Sequence, residues 1–312
     1  QSLTADGQVL WRSVLPGGLI IDLLLADNEG VTAYTRDGRL IRYKATLIPD
    51  ENVEPVQLGG RYDTLIPLDG MLLLHQNDGT LRLYDRSLAL RGLWRGVGRP
   101  TSTAQTDQML AISTGQRTPE LLLFSREGVL LQRSQPRHLA DVAPAEDGGV
   151  YVRTRYALWR VSPGADWTFI TDEFEFTPGG SALGSDEQGS VYFYSGGLNS
   201  GFYSWAPDGS AHWVVSLAQE TFSPTLALGG GCAVYLAASD GRLIAVNAAT
   251  GAFSEPLSIY PGGAIGGRPW LHIRADESIL FAVGGTQIIA IDGLTLAGLE
   301  PGAACTPPFT SR

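Results

Sequence analysis

The sequence predicts an all-β chain in which one four-stranded antiparallel unit is used again and again. Three observations carry that expectation. Glycine is abundant, 39 of 312 residues, charged residues are sparse at 17%, and no window holds apolar spacing at three and four between helix caps. Asp37-Gly38, Asp78-Gly79 and Asp240-Gly241 each sit between a short apolar run and an alternating one, the strongest short-range hairpin signal. Steps rich in Gly and Pro recur every ~37 to 45 residues, the spacing of four-stranded propeller blades.

The steps set the order of the units. They read LPGG at Leu15, LGGR at Leu58, VGRP at Val97, QPRH at Gln135, TPGG at Thr177, FSP at Phe222 and YPGG at Tyr260. Gly and Pro interrupt strand pairing there, so the chain can pass from the outer strand of one unit to the inner strand of the next. Units therefore start near residues 17, 59, 99, 136, 179, 223 and 262 of one domain spanning 1–312. Seven starts predict a seven-bladed β-propeller of four-stranded antiparallel blades.

Within the second unit, YDTLIPL from Tyr62 is the inner strand, MLLLH from Met71 the second, TLRLYD from Thr80 the third and LRGLWR from Leu90 the outer one. The sixth unit gives PTLAL from Pro224, CAVYLAA from Cys232, RLIAVN from Arg242 and FSEPLSIY from Phe253. Unbroken apolar runs such as AVYLA fit strands covered on both faces. A second class of turn follows each third strand, as at Ser125, Ala206 and Ala248. The seventh unit supplies strands from Trp270, Ser278 and Gln287 and then runs into a Pro-containing tail over 300–312. Residues 6–14 read as the missing outer strand, so the ring is expected to close by N-terminal pairing in the last blade, which leaves no edge open.

The repeat resembles the PQQ-like propeller superfamily, whose pattern is A-x-D-x-x-T-G-x-x-x-W. Ala245, Asn247, Thr250 and Gly251 follow it, with Asn for Asp and Glu255 where tryptophan belongs; Ala290, Asp292 and Thr295 match its first half; Gly7 with Trp11, and Gly209 with Trp213, match its second. The acidic or amide side chain can bond its own turn, glycine closes that turn, and tryptophan wedges between blades. Enzymes of the superfamily bind the quinone cofactor and calcium and carry an adjacent cysteine pair. Here Cys232 and Cys305 lie more than one blade apart, so no cofactor is expected. The non-enzymatic branch includes a periplasmic lipoprotein that scaffolds outer-membrane barrel assembly. That protein should begin with a lipidated cysteine, whereas Gln1 stands first here, which reads as a processed or trimmed start.

Charge and motif content exclude several functions. The net charge is -10 and Lys44 is the only lysine, so the chain lacks the concentrated positive charge that nucleic acid or an anionic membrane requires. No apolar run approaches the length of a membrane-spanning helix. None of His75, His138, His212 and His272 has a second ligand at metal spacing, so no metal is expected. GGSALG from Gly179 is not a nucleophile elbow, and GGAIGG from Gly262 lacks the lysine and helix of a phosphate loop. Two lone cysteines predict one Cys232–Cys305 disulfide or two inert thiols.

Charges at the inner-strand entrances are the remaining candidates: Asp22, Arg61, Asp63, Arg137, Asp141 and Arg268. The blade steps and the Asp-Gly turns belong to one end of a propeller because strands alternate in direction. Loops held on a rigid scaffold concentrate recognition, and Arg and Trp anchor interfaces. Arg61, Asp63, Arg137, His138, Arg268 and Trp270 are thus the expected contacts for a protein partner. The expected function is a non-enzymatic binding or scaffold module of an exported bacterial assembly, periplasmic or at the cell surface. A channel-centred hydrolase or lyase and a permanent structural subunit are the alternatives.

Overall fold

A computed structural model of the chain describes residues 2–3, 9–11, 20–27, 30–35, 37–44, 49–58, 62–68, 71–115, 119–136, 139–164, 166–172, 181–186, 188–195, 201–216, 225–228, 233–237, 241–258, 270–273, 279–284, 287–293 and 296. The chain divides into two compact units, Gln1–Leu3 with Val9–Leu139, and Thr4–Gln8 with Ala140–Arg312.

In the first unit, β1 (Ser2–Leu3) pairs antiparallel with β2 (Val9–Trp11). Three four-stranded antiparallel sheets follow. The first is β3 (Ile20–Asp27), β4 (Gly30–Thr35), β5 (Arg39–Lys44) and β6 (Val56–Gln57); the second is β7 (Tyr62–Leu68), β8 (Met71–Gln76), β9 (Leu81–Asp85) and β10 (Leu90–Trp94). The third is β11 (Pro100–Gln105), β12 (Met109–Thr114), β13 (Leu121–Ser125) and β14 (Leu130–Ser134).

The fourth sheet, which opens the second unit, holds β15 (Leu139–Pro144), β16 (Val150–Thr154), β17 (Leu158–Val161) and β18 (Trp167–Thr171). The fifth holds β19 (Ser181–Ser185), β20 (Val191–Ser195), β21 (Gly201–Trp205) and β22 (Ala211–Ser216). The sixth holds β23 (Thr225–Leu228), β24 (Ala233–Ala237), β25 (Arg242–Asn247) and β26 (Leu257–Ser258), and the last has three described strands, β27 (Trp270–Ile273), β28 (Ile279–Gly284) and β29 (Gln287–Asp292). In each sheet the strands lie side by side in chain order.

Packing explains the unbroken apolar runs. On β8, Leu72 and Leu74 pack with Tyr34 and Leu40 of the first sheet, whereas Met71 and Leu73 pack with Leu110, Ile112 and Phe124 of the third. Successive side chains of a strand point to opposite faces, so β8 serves both neighbours at once. On β20, Tyr192 and Tyr194 join Val234, Leu236 and Val246 of the sixth sheet, while Val191 joins Tyr151 and Leu158 of the fourth. Outer strands lose one neighbour and turn semi-exposed, as in the mixed burial along β10 and β14.

One expectation meets a different local structure. The outer strand of the sixth sheet shrinks to Leu257–Ser258, with Phe253 reduced to an isolated bridge to Val246; Pro256 between them has no N–H for a ladder. The described pairing of β2 is with β1, and no described pairing joins it to β29.

Candidate functional site

The end of the sheets that carries the steps is built by backbone hydrogen bonds. Leu58 N–H donates to the Gly38 carbonyl at 2.9 Å, and Val97 N–H to the Gly79 carbonyl at 3.0 Å. In the first two sheets, then, each step meets the Asp-Gly turn between second and third strands, as strand alternation requires. His75 Nε2 lies 2.9 Å from the Val97 carbonyl in a buried setting, so its imidazole pins the step at Val97. Glu120, buried beside β13, takes Arg133 Nη2 at 2.9 Å on both oxygens and Gln135 Nε2 at 3.0 Å. The same Nη2 reaches the Gly96 carbonyl at 2.9 Å, so Arg133 fastens the third sheet to the step before it.

Of the expected contact residues, Asp63 lies in β7 and Trp270 in β27, each in the first strand of its sheet. Arg61, Arg137, His138 and Arg268 lie outside the described residues. So do Cys232 and Cys305, and with them the disulfide. Asp141, on β15, is 2.7 Å from Nη2 of Arg153, whose side chain is 0% exposed on β16. That carboxylate is neutralised by a buried cation instead of being offered to a ligand. Arg153 also lies 5.8 Å over the Phe193 ring, and Phe193 stacks on Tyr203 and Trp205 at 4.8 Å each. Trp205, at the end of β21, is 1% exposed and forms part of this stack.

The opposite end is held by acidic side chains folded back on their own turns. Asp208 Oδ1 accepts from Ser210 N–H at 2.9 Å and Asp186 Oδ1 from Ser190 N–H at 2.8 Å; the same turn device recurs at the step end of the second sheet, where Asp78 Oδ1 accepts from Thr80 N–H at 2.9 Å. Thr80 and Ser210 hold their aspartates below the ordinary carboxylate value. Tyr151 Oη lies 3.0 Å from both Glu146 Oε2 and the Gly189 carbonyl, and burial, then Glu146, pushes its pKa far up. Arg160 closes this cluster at 3.0 Å from Glu146 and 2.7 Å from Asp147. Burial lowers the His212 pKa against the pull of Asp186 and Asp208.

The superfamily repeat has a physical counterpart here. Asn247 Oδ1 accepts from the N–H groups of Ala249 and Thr250 at 3.0 Å, and Gly251 closes the turn at φ 72°. Trp213 of β22 donates its indole N–H to the Ala248 carbonyl at 2.8 Å and lies so close that a Cβ on Gly251 would meet Trp213 Cδ2 at 2.9 Å. The tryptophan of the fifth sheet thus docks on the Thr-Gly turn of the sixth.

Among the described residues no group of three or more His, Cys, Asp or Glu could hold a metal, and no helix is long and apolar enough to cross a membrane. An open cleft of about 380 Å³ is lined by Gln105, Thr106, Asp107 and Arg126, and Arg126 Nη1 donates across it to the Asp107 carbonyl at 3.3 Å. The cluster of Trp159, Trp167 and Phe169 is not among the contacts expected from the sequence. Trp159 meets Trp167 at 6.1 Å and Phe169 at 5.5 Å, edge to face, with Phe169 51% exposed. The alternation of W-T-F between Asp166 and Asp172 was its legible signal.

No protein-family model matches the chain, and no curated protein matches it significantly. Among solved structures it is similar to BamB from Moraxella catarrhalis, with 13% identity, a TM-score of 0.59, and 86% of this chain and 83% of that chain covered. Chains with a significant structural likeness number 1365, so the likeness concerns architecture and selects no site. The sheet order and this comparison agree on an all-β fold of repeated antiparallel sheets, the architecture of a β-propeller.

Proposed function

We propose that this chain is a non-enzymatic propeller that binds a protein partner within an exported bacterial assembly. The observation that carries the reading is the placement of apolar side chains that packing leaves uncovered. Of the eight exposed large apolar side chains among the described residues, Leu90, Leu93, Leu131, Phe169, Val214 and Leu257, 39–57% exposed, stand on outer strands, and Val129 and Tyr156 stand outside the strands. Buried charge, by contrast, is spent on the fold, as Arg153–Asp141 and Arg133–Glu120 illustrate. The likeness to BamB supports the same reading at the level of the fold.

In this reading the chain is one seven-bladed domain closed by its N-terminal strand, and the step-bearing end meets the partner through Arg61, Asp63, Arg137, His138, Arg268 and Trp270. Replacing Arg61, Arg268 and Trp270 together by alanine should abolish recovery of native partners by crosslinking and mass spectrometry while folding persists. Undiminished recovery, with loss on substituting the opposite end, moves the interface. Closure is tested by deleting residues 1–14, which should lower the melting temperature; unchanged melting refutes it. The Cys232–Cys305 bond belongs to the same reading, and two alkylated thiols in unreduced, denatured protein exclude it.

A further inference from the structure

We propose that β18, the outer edge of the fourth sheet, is a docking strand for an extended peptide segment with apolar side chains at alternate positions and a basic residue at each end. The inference rests on the protein-binding reading but uses a different surface from the step-bearing end.

Backbone geometry comes first. Ser162 N–H donates to the Asp166 carbonyl at 3.0 Å and closes the β17–β18 hairpin. Val161 faces Trp167, Arg160 faces Thr168 and Trp159 faces Phe169 in the ladder. Antiparallel pairs alternate between bonded and non-bonded, so Thr168 bonds to β17 while the N–H and C=O of Trp167 and Phe169 point out of the sheet. β18 ends its sheet; those groups are the template that an added strand uses.

The side chains agree with the backbone. Trp167 and Phe169 lie on one face with Trp159 edge-on to both, giving a partly exposed aromatic ledge beside the outward-facing amides. At the far end a ladder irregularity follows Phe169, and a Cβ on Gly209 of the next sheet would meet the Ile170 carbonyl at 2.4 Å. The Gly209 turn therefore lies against β18 just past Phe169. Among the described outer strands none other combines these features: β6 and β26 have two residues each, β14 carries no aromatic side chain, Trp213 of β22 is committed to the Ala248 carbonyl, and Arg91 of β10 is tied to Asp85.

Charge selects the occupant. Exposed Asp166 and Asp172 bracket the ledge, so a segment with basic ends gains attraction at both. A second copy of this chain is disfavoured: antiparallel self-pairing centred on Phe169 sets Asp166 of one copy opposite Asp172 of the other, and like charges directly opposite destabilise a sheet.

The test uses the whole chain and a fluorescent probe, the capped peptide Lys-Thr-Phe-Thr-Phe-Thr-Lys, read by anisotropy. Saturable binding is expected, weakened about tenfold or more by Phe169→Pro, which removes an outward N–H and a ring without touching the β17 ladder. Phe169→Ala gives a second reading should the proline variant fail to fold. Asp166→Asn with Asp172→Asn should weaken binding about fivefold at low salt, and N-methylation of alternate peptide amides should abolish it. Equal affinity for the folded Phe169 variants, equal affinity for the same peptide with Glu ends, or no binding at millimolar peptide overturns the proposal. So does a Phe169-dependent dimer in light scattering, which names a second copy as the occupant. Loss of native partners on substitution at the step-bearing end, with no effect from Phe169→Pro, would sink this proposal and spare the broader one.

Discussion

Trp213 links the fifth and sixth sheets at one point, so its removal has a size that can be worked out. Its indole N–H bond to the Ala248 carbonyl is an ordinary hydrogen bond at 2.8 Å, worth about 1 kcal/mol net. The ring also packs on Tyr192 and Phe202 at 6.0 and 5.3 Å. A fully buried Trp→Ala change costs roughly 3–5 kcal/mol, and Trp213 is half-buried, so about 2 kcal/mol of packing is at stake. Trp213→Phe should then cost about 1 kcal/mol and Trp213→Ala about 3 kcal/mol, lowering Tm by roughly 5–10 °C. Gly251 supplies the control. Gly251→Ala alone suffers both the left-handed backbone, about 1 kcal/mol, and collision with the ring. In the Trp213→Ala background only the backbone cost remains, so the double-mutant cycle should show coupling of about 1–2 kcal/mol. Urea unfolding of the four species measures it. Additive costs, or a Trp213→Ala midpoint equal to wild type, would refute the docking argument.

Two further outcomes follow from the charged groups. Arg153→Met strands Asp141 beside apolar packing and should cost about 3 kcal/mol or more, whereas Arg153→Met with Asp141→Leu should recover most of it; a double variant no more stable than the single one contradicts the pairing. Asp78, Asp208 and Glu127 are held below their ordinary values by Thr80, Ser210 and Ser125. A depressed folded pKa stabilises above the unfolded value and loses that contribution as pH falls through the folded one. The urea midpoint should be level from pH 7 to about pH 5 and decline below about pH 4; a level midpoint down to about pH 3 refutes it.

Local signals made the sheets legible. Asp-Gly dipeptides, Gly-Pro steps and period-two stretches each act within a few residues, and β7 to β10 fall where YDTLIPL, MLLLH, TLRLYD and LRGLWR place them. The same locality explains the failures. Arg153 in VYVRT looks like any arginine beside a turn, because its partner Asp141 reaches it only through strand pairing, with the two side chains on one face. Trp205 and Trp159 are indistinguishable in sequence, yet one is buried in a ring stack and the other borders the exposed Phe169. Proline 256 could have announced the truncated β26, since its missing N–H lies inside the proposed strand.

The strict alternation along β8 and β20 has a consequence for how these sheets can diverge. On β8, even-numbered residues answer to the first sheet and odd-numbered ones to the third; on β20, even-numbered residues answer to the sixth and Val191 to the fourth. Parity therefore acts as an address. A substitution at Leu72 retunes one seam and one at Leu73 the other, although the two residues are covalent neighbours. Compensating changes should be sought across a seam, between residues dozens of positions apart, and not next door in the chain. Two seams of one sheet can drift independently while the strand between them keeps the same apolar composition.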